Sequence, residues 1–224
     1  MKFCRCGTLE VARVKRSAVA ETEGRFLFVA GSLCIDFVNL EVMDGGERVD
    51  LLPDFDALVD WLEAAGALGD DEATAARKRW GGTREGSRRE RAKVFARAVA
   101  LRAALRRMVG RLAEGRTVER ASIAAINEVL REPVRYWQVR ARNGAFEEVP
   151  AWDLSSPGHL LAPVADSARE LLCSRDPSLV RRCRNENCIL YFYDATKNHA
   201  RAWCSMSLCG NRTKVAAHYR RRRG

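Results

Sequence analysis

Apolar positions along the chain predict its elements before any motif is considered. Between residues 54 and 131 they recur three and four apart, the period that gathers side chains on one side of a helix. Phe55, Leu58, Val59 and Leu62 form the first stripe, and Asp54, after Pro53, supplies an N-cap. Gly66 and Gly69 interrupt the pattern, and Asp70-Asp71 caps a shorter helix that runs to Trp80. The longest stripe, carried by Val94, Phe95, Ala98, Leu101, Leu105, Met108, Val109 and Leu112, predicts a helix over 87–114. Its arginines (Arg88, Arg89, Arg91, Arg97, Arg102, Arg106, Arg107, Arg111) fall largely off that stripe and read as a solvated face. Residues 118–131 predict another helix, with Ile123, Ile126, Val129 and Leu130 inward. Residues 157–173 predict a last one, burying Leu160, Leu161, Val164, Ala168, Leu171 and Leu172.

Strand texture is sparser. Phe26–Val29 and Cys34–Val38 are apolar runs broken by Gly31-Ser32 and read as strand-like or mixed, with a turn at Asp44-Gly45-Gly46. Residues 136–140 and 145–149 flank Asn143-Gly144, whose tolerance of positive φ marks a tight hairpin. The fold class expected is α+β. A mostly helical N-terminal domain (25–175), with a few strands and a β-hairpin, precedes a small C-terminal module (181–224). Residues 1–24, with Cys4 and Cys6, read as a flexible tail.

The chemistry is concentrated at the C-terminal end. Cys183/Cys188 and Cys204/Cys209 are two C-x₄-C pairs with 15 residues between them. Thiolates are soft ligands for Zn²⁺, and four of them close a tetrahedral shell, leaving no open position for catalysis. The metal expected is therefore structural, and the module over 181–224 is expected to be a treble-clef-like zinc finger. Residues five apart on a helix differ by about 140° around its axis, so Cys204 belongs to the turn before the helix that follows. Gly210-Asn211 then reads as turn and N-cap, with residues 212–222 helical. Val215, Ala216 and Tyr219 would form its inward side. Ile189–Tyr193 predicts a strand returning through Arg201-Ala202-Trp203, with Tyr191 and Trp203 covering the metal.

Charge sharpens this picture. Of a net +10, residues 181–224 carry 11 Lys/Arg against 2 Asp/Glu, and residues 1–20 carry 5 against 1, so the body is close to neutral. A basic end beside a zinc module points to a polyanion. Arg201, Arg212, Lys214, His218, Arg220, Arg221, Arg222 and Arg223 are the candidate nucleic-acid contacts. DNA is the leading partner; RNA or a protein partner is the alternative.

No run of 18 apolar residues predicts a membrane span. No signal-peptide core opens the chain, so a cytoplasmic setting is expected, where cysteine pairs serve metals rather than disulfides. Asp36 and Asn39 are polar residues inside an apolar run. They either bond nearby backbone and cap the next segment or line a pocket for a small-molecule effector. Cys34 reads as buried and inert, and His159 as a surface or half-buried imidazole. With no glycine-rich phosphate loop, nucleophile elbow or H-E-x-x-H, an enzyme is not expected, although a carboxylate pair that meets only in the fold would leave no motif. Effector sensing and homodimerisation are the roles expected of the body.

The string Trp203-Cys204-Ser205-Met206, followed by Cys209-Gly210-Asn211-Arg212, resembles the CGNR-type zinc finger. Gly31-Ser32-Leu33-Cys34-Ile35-Asp36-Phe37-Val38-Asn39 resembles the opening of the ABATE domain, the usual partner of that finger. The resemblance spans roughly residues 25 to 222 and implies a stress-induced bacterial transcription regulator. Arg201 alone, rather than a basic pair, precedes Trp203.

Overall fold

The structure is a computed structural model and describes residues 25–82, 84–131, 135–142, 144–152 and 157–211. The first regular element is a helix, α1 (Leu33–Val38), where the apolar run read as strand-like or mixed. Cys34, Ile35, Asp36, Phe37 and Val38 are all buried, so no amphipathic period marks the segment as helical. A hairpin follows, β1 (Glu41–Asp44) and β2 (Glu47–Asp50), with Val42 opposite Val49. Its two-residue turn is Gly45-Gly46, both at positive φ (57° and 93°), a conformation that favours glycine.

The next helices match the apolar pattern. In α2 (Phe55–Ala64), Asp54 caps as expected, its carboxylate accepting from the Ala57 N–H at 2.8 Å. In α3 (Asp70–Trp80) the Glu72 carboxylate reaches back to the Gly69 N–H at 2.8 Å. The long helix α4 (Glu85–Ala113) buries Val94, Ala98, Leu101, Leu105, Met108 and Val109. In α5 (Arg120–Leu130), Ile126 and Val129 are covered, but Ile123 is 41% exposed and Leu130 only half-buried, because one narrow face meets α4 and α6. The second hairpin, β3 (Arg135–Arg142) and β4 (Ala145–Trp152), forms with Arg140 opposite Glu147. The last predicted helix is split: Pro157–Leu161 wind as a 3₁₀ turn before α6 (Ala162–Cys173).

α1 packs against both α4 and α6, which explains a six-residue helix that no propensity argument would sustain. Phe37 lies 5.0 Å from Trp61 ring to ring, and Phe55 lies 6.3 Å from Trp80. Two arginines of α4 are not on a solvated face. Arg102 is buried, and its two terminal nitrogens each donate to one oxygen of Asp50 at 2.6 Å. Arg106 donates to the Val38 carbonyl at 2.7 Å and lies 3.3 Å from Glu41. The hairpin β1–β2 brings these carboxylates to α4. Burial pushes the Asp50 carboxyl up, but the hydrogen bonds from Arg102 and the Leu52 N–H outweigh it and hold the group below the usual range.

Past a 3₁₀ turn (Pro177–Leu179), β5 (Val180–Arg182) pairs antiparallel with β6 (Tyr191–Tyr193). The partner of β6 is therefore the strand before the first cysteine, not residues 201–203; these touch the knuckle through one bond, Arg184 N–H to the Ala202 carbonyl at 3.0 Å. The core runs without a break from α1 through α4 into Val180, Leu190 and Phe192. Among the described residues no helix is long and apolar enough to cross a membrane.

Candidate metal centre

The first cysteine pair sits on a tight knuckle between β5 and β6. The Cys183 N–H donates to the Leu190 carbonyl at 2.9 Å, and the Cys188 N–H to the Asn185 carbonyl at 2.9 Å. Asn185 also accepts from the Asn187 N–H at 3.1 Å. This Asx geometry folds the intervening residues back on themselves and turns both sulfurs inward. The second pair spans a π-helical turn, Met206–Gly210, whose N-cap is Ser205. Asn211 is already helical, so the turn begins five residues before the cap expected at Gly210-Asn211. Cys204 precedes that turn and Cys209 lies within it, which resolves the angular mismatch of a five-residue spacing. Gly210 is needed for space: a Cβ there would fall 2.6 Å from the Met206 sulfur and 3.1 Å from the Trp203 ring.

All four cysteines are buried, and their sulfurs lie within 4.8 Å of one another. Cys204 and Cys209 are 3.5 Å apart, and Cys188 and Cys204 are 3.9 Å apart. Zn–S bonds of about 2.3 Å in a tetrahedron require S···S separations near 3.8 Å, so the set fits zinc. Crowding supports the same conclusion. Contacts from Cys188 and Cys204 hold Cys183 down, while contact with Cys183 pushes Cys188 and Cys204 up. Four thiolates can share this volume only around a dication. Asn185 Nδ2 donates to the Cys209 sulfur at 3.3 Å, and the Cys204 N–H points at Cys183 at 3.4 Å, both favouring thiolate charge. Among the described residues, no other group of three or more His, Cys, Asp or Glu side chains could hold an ion.

The other predicted site residues separate clearly. Arg201 is turned inward. Its guanidinium donates to the Trp203 carbonyl at 2.9 Å, the Val29 carbonyl at 2.8 Å and the Cys204 carbonyl, and lies 4.3 Å from the Phe192 ring centre. Burial pulls it below its ordinary value, while Cys204 and Asp194 favour its charge. Its fork is occupied by the protein's own carbonyls. Tyr191 packs its hydroxyl toward Gly110 of α4 rather than over the metal. Arg212, Lys214, His218, Arg220, Arg221, Arg222 and Arg223 lie outside the described residues, as do the predicted inward face of that helix and Cys4 and Cys6.

Asp36 and Asn39 are both buried, and each bonds backbone. Asp36 accepts from the Ala30 N–H at 2.8 Å. Asn39 clamps Tyr191, donating to its carbonyl at 2.8 Å and accepting from its N–H at 3.0 Å. Both side chains thus hold backbone in place, with Asn39 reaching the distant β6 rather than the next segment. Burial pushes the Cys34 thiol up to about 11, in keeping with an inert side chain. His159 is buried rather than superficial.

The turn chemistry of residues 194–199 is visible in the sequence, and the structure shows how far it reaches. Asp194 accepts from the Thr196 N–H and hydroxyl and from the Arg201 N–H, ordering the loop between β6 and Cys204. One further feature was not singled out in the sequence. Arg182, Arg184 and Lys197 are exposed cations on the described part of the module.

Comparison with known families agrees with the geometry. The model of the ABATE family, described as "Putative stress-induced transcription regulator", matches residues 31–175. The CGNR zinc finger model matches residues 180–222. Among curated proteins no sequence matches the chain.

Proposed function

We propose, from the premise that the chain belongs to the ABATE family and ends in a CGNR zinc finger, that it is a transcription regulator whose zinc-ordered module grips DNA. The observation that carries this reading is the position of the four-sulfur cluster. The turn that supplies Cys209 also supplies Asn211, helical and exposed, and the chain then enters its arginine-rich end. Zinc contributes fold and no chemistry of its own: with four sulfur ligands it presents no open position to a substrate.

The residues would divide the work as follows. Arg212, Lys214, His218 and Arg220–Arg223 supply phosphate contacts, joined by Arg182, Arg184 and Lys197. Arg201 is reassigned from phosphate contact to holding the module together. Residues 25–175 would carry effector sensing or dimerisation. Phosphate binding alone gives affinity without sequence preference, so base readout would come from the segment after Asn211. The test is recovery of genomic DNA fragments by the purified zinc-loaded chain, with Cys204→Ser as control. Enrichment of defined fragments by the zinc form alone is expected. Equal recovery by the variant would remove the finger as the reader.

A further inference from the structure

A cavity of about 560 Å³ opens between the hairpin β1–β2 and the zinc knuckle; one end reaches Cys188, Cys204 and Cys209, and the rest extends away from the metal ligands along Leu27, Val42, Val49 and Leu51. We propose that this groove binds a small, uncharged, mainly apolar effector and that occupancy braces the zinc site.

The two faces of the hairpin are used differently. Glu41 and Asp50 turn toward α4 and pair with Arg106 and Arg102. Val42 and Val49, directly opposed across the strands, line the groove instead, and Val49 remains 38% exposed. Leu190 and Leu208 of the zinc module line it too. Two apolar walls kept apart by open space are unfavourable in water, and a ligand that fills the gap removes both from solvent. The volume is that of a metabolite-sized pocket rather than a peptide groove.

Charge selects the class. Arg25 and Arg184 line the groove together with Asp44 and Glu186, so cations and carboxylates balance and neither sign of ligand is favoured. Cys188, Cys204 and Cys209 also line it. An occupant would therefore touch hairpin and metal knuckle at once, and its binding energy would oppose the opening that releases zinc. The regulatory meaning rests on the reading of the body as a sensor. The site itself does not involve DNA, so its failure would leave the nucleic-acid reading standing.

The test titrates the zinc-loaded full chain with N-phenyl-1-naphthylamine, a neutral fluorescent apolar probe. Saturable one-to-one binding is expected. Val49→Trp, which fills the groove from the hairpin side, and Leu208→Trp, which fills it from the finger side, should each weaken binding at least tenfold. Phe146→Ser, at the exposed apolar position of the other hairpin, should leave it unchanged. Saturating probe should slow zinc transfer to a chelator at least threefold in the unmodified chain and not in Val49→Trp. Absence of saturable binding, or undiminished affinity in both tryptophan variants at unchanged zinc content and helicity, overturns the proposal. Unchanged zinc transfer in the unmodified chain overturns the bracing.

Discussion

The helical body buries Trp61, Trp80, Phe37, Ile35 and a row of leucines, whereas the module from Val180 to Asn211 buries few apolar side chains besides Phe192, Leu190 and its cysteines. Apolar burial at about 25 cal/mol per Å² can hold the first together. So short a segment cannot offset its own chain entropy that way. Its order comes from four sulfurs on one ion and from polar attachments to the body: Asn39 on Tyr191, Arg201 on Val29, and the Tyr193 N–H on the Ala30 carbonyl at 2.8 Å. The comparison shows that the boundary between the two family matches is not a mechanical one. The finger uses the body as part of its own scaffold, through the backbone of Val29 and Ala30 and the side chain of Asn39.

The largest break in this comparison is removal of the metal. Cys204→Ser, or chelation, should unfold the module while leaving α2 to α6 helical. Far-UV circular dichroism would change little, and nucleic-acid affinity would fall at least a hundredfold. Next is Arg201→Ala, which strips three carbonyls and the Phe192 ring of their partner. Roughly 3 kcal/mol of stability should be lost in urea unfolding of the zinc form, with Arg201→Lys recovering only part. Asn39→Ala removes both bonds to the Tyr191 backbone and should cost roughly 2 kcal/mol, with faster zinc loss as a second readout.

The smallest effect sharpens the other side, the hairpin held on α4. Asp50→Asn should cost roughly 1 kcal/mol at neutral pH, discounted because the carboxylate is half-exposed. The sign of its pH dependence follows from a carboxyl held below its ordinary value of 3.8. Its contribution is present above that pH and fades as pH falls through the folded value, so the gap between Asp50→Asn and the unmodified chain should close below about pH 4. A gap that widened on acidification would contradict the pairing with Arg102.

Local chemistry made much of the molecule legible. Asp54 announces its helix, Gly45-Gly46 its turn, and the cysteine spacing its metal, because cap, turn and ligand geometry all act within a few residues. What stayed hidden depends on partners far away in the chain. Arg102 looked solvated because Asp50, 52 residues distant, cannot be anticipated from helical period. Asn39 and Tyr191 are 152 residues apart, and nothing near either one signals the clamp. α1 was misread because a segment buried on every side has no amphipathic period. Arg201 was assigned to phosphate by charge alone, though the carbonyls of Val29, Trp203 and Cys204 claim it.

The most direct measurement is fluorescence anisotropy of a labelled DNA duplex, titrated with the zinc-loaded and zinc-free full chain over a range of salt. The zinc form should bind with a log–log salt slope of about −4 or steeper, near −0.9 per phosphate engaged. The zinc-free form should bind at least a hundredfold more weakly. Equal affinity with and without metal, or zinc-form binding insensitive to salt, would contradict a metal-ordered grip on the nucleic-acid backbone.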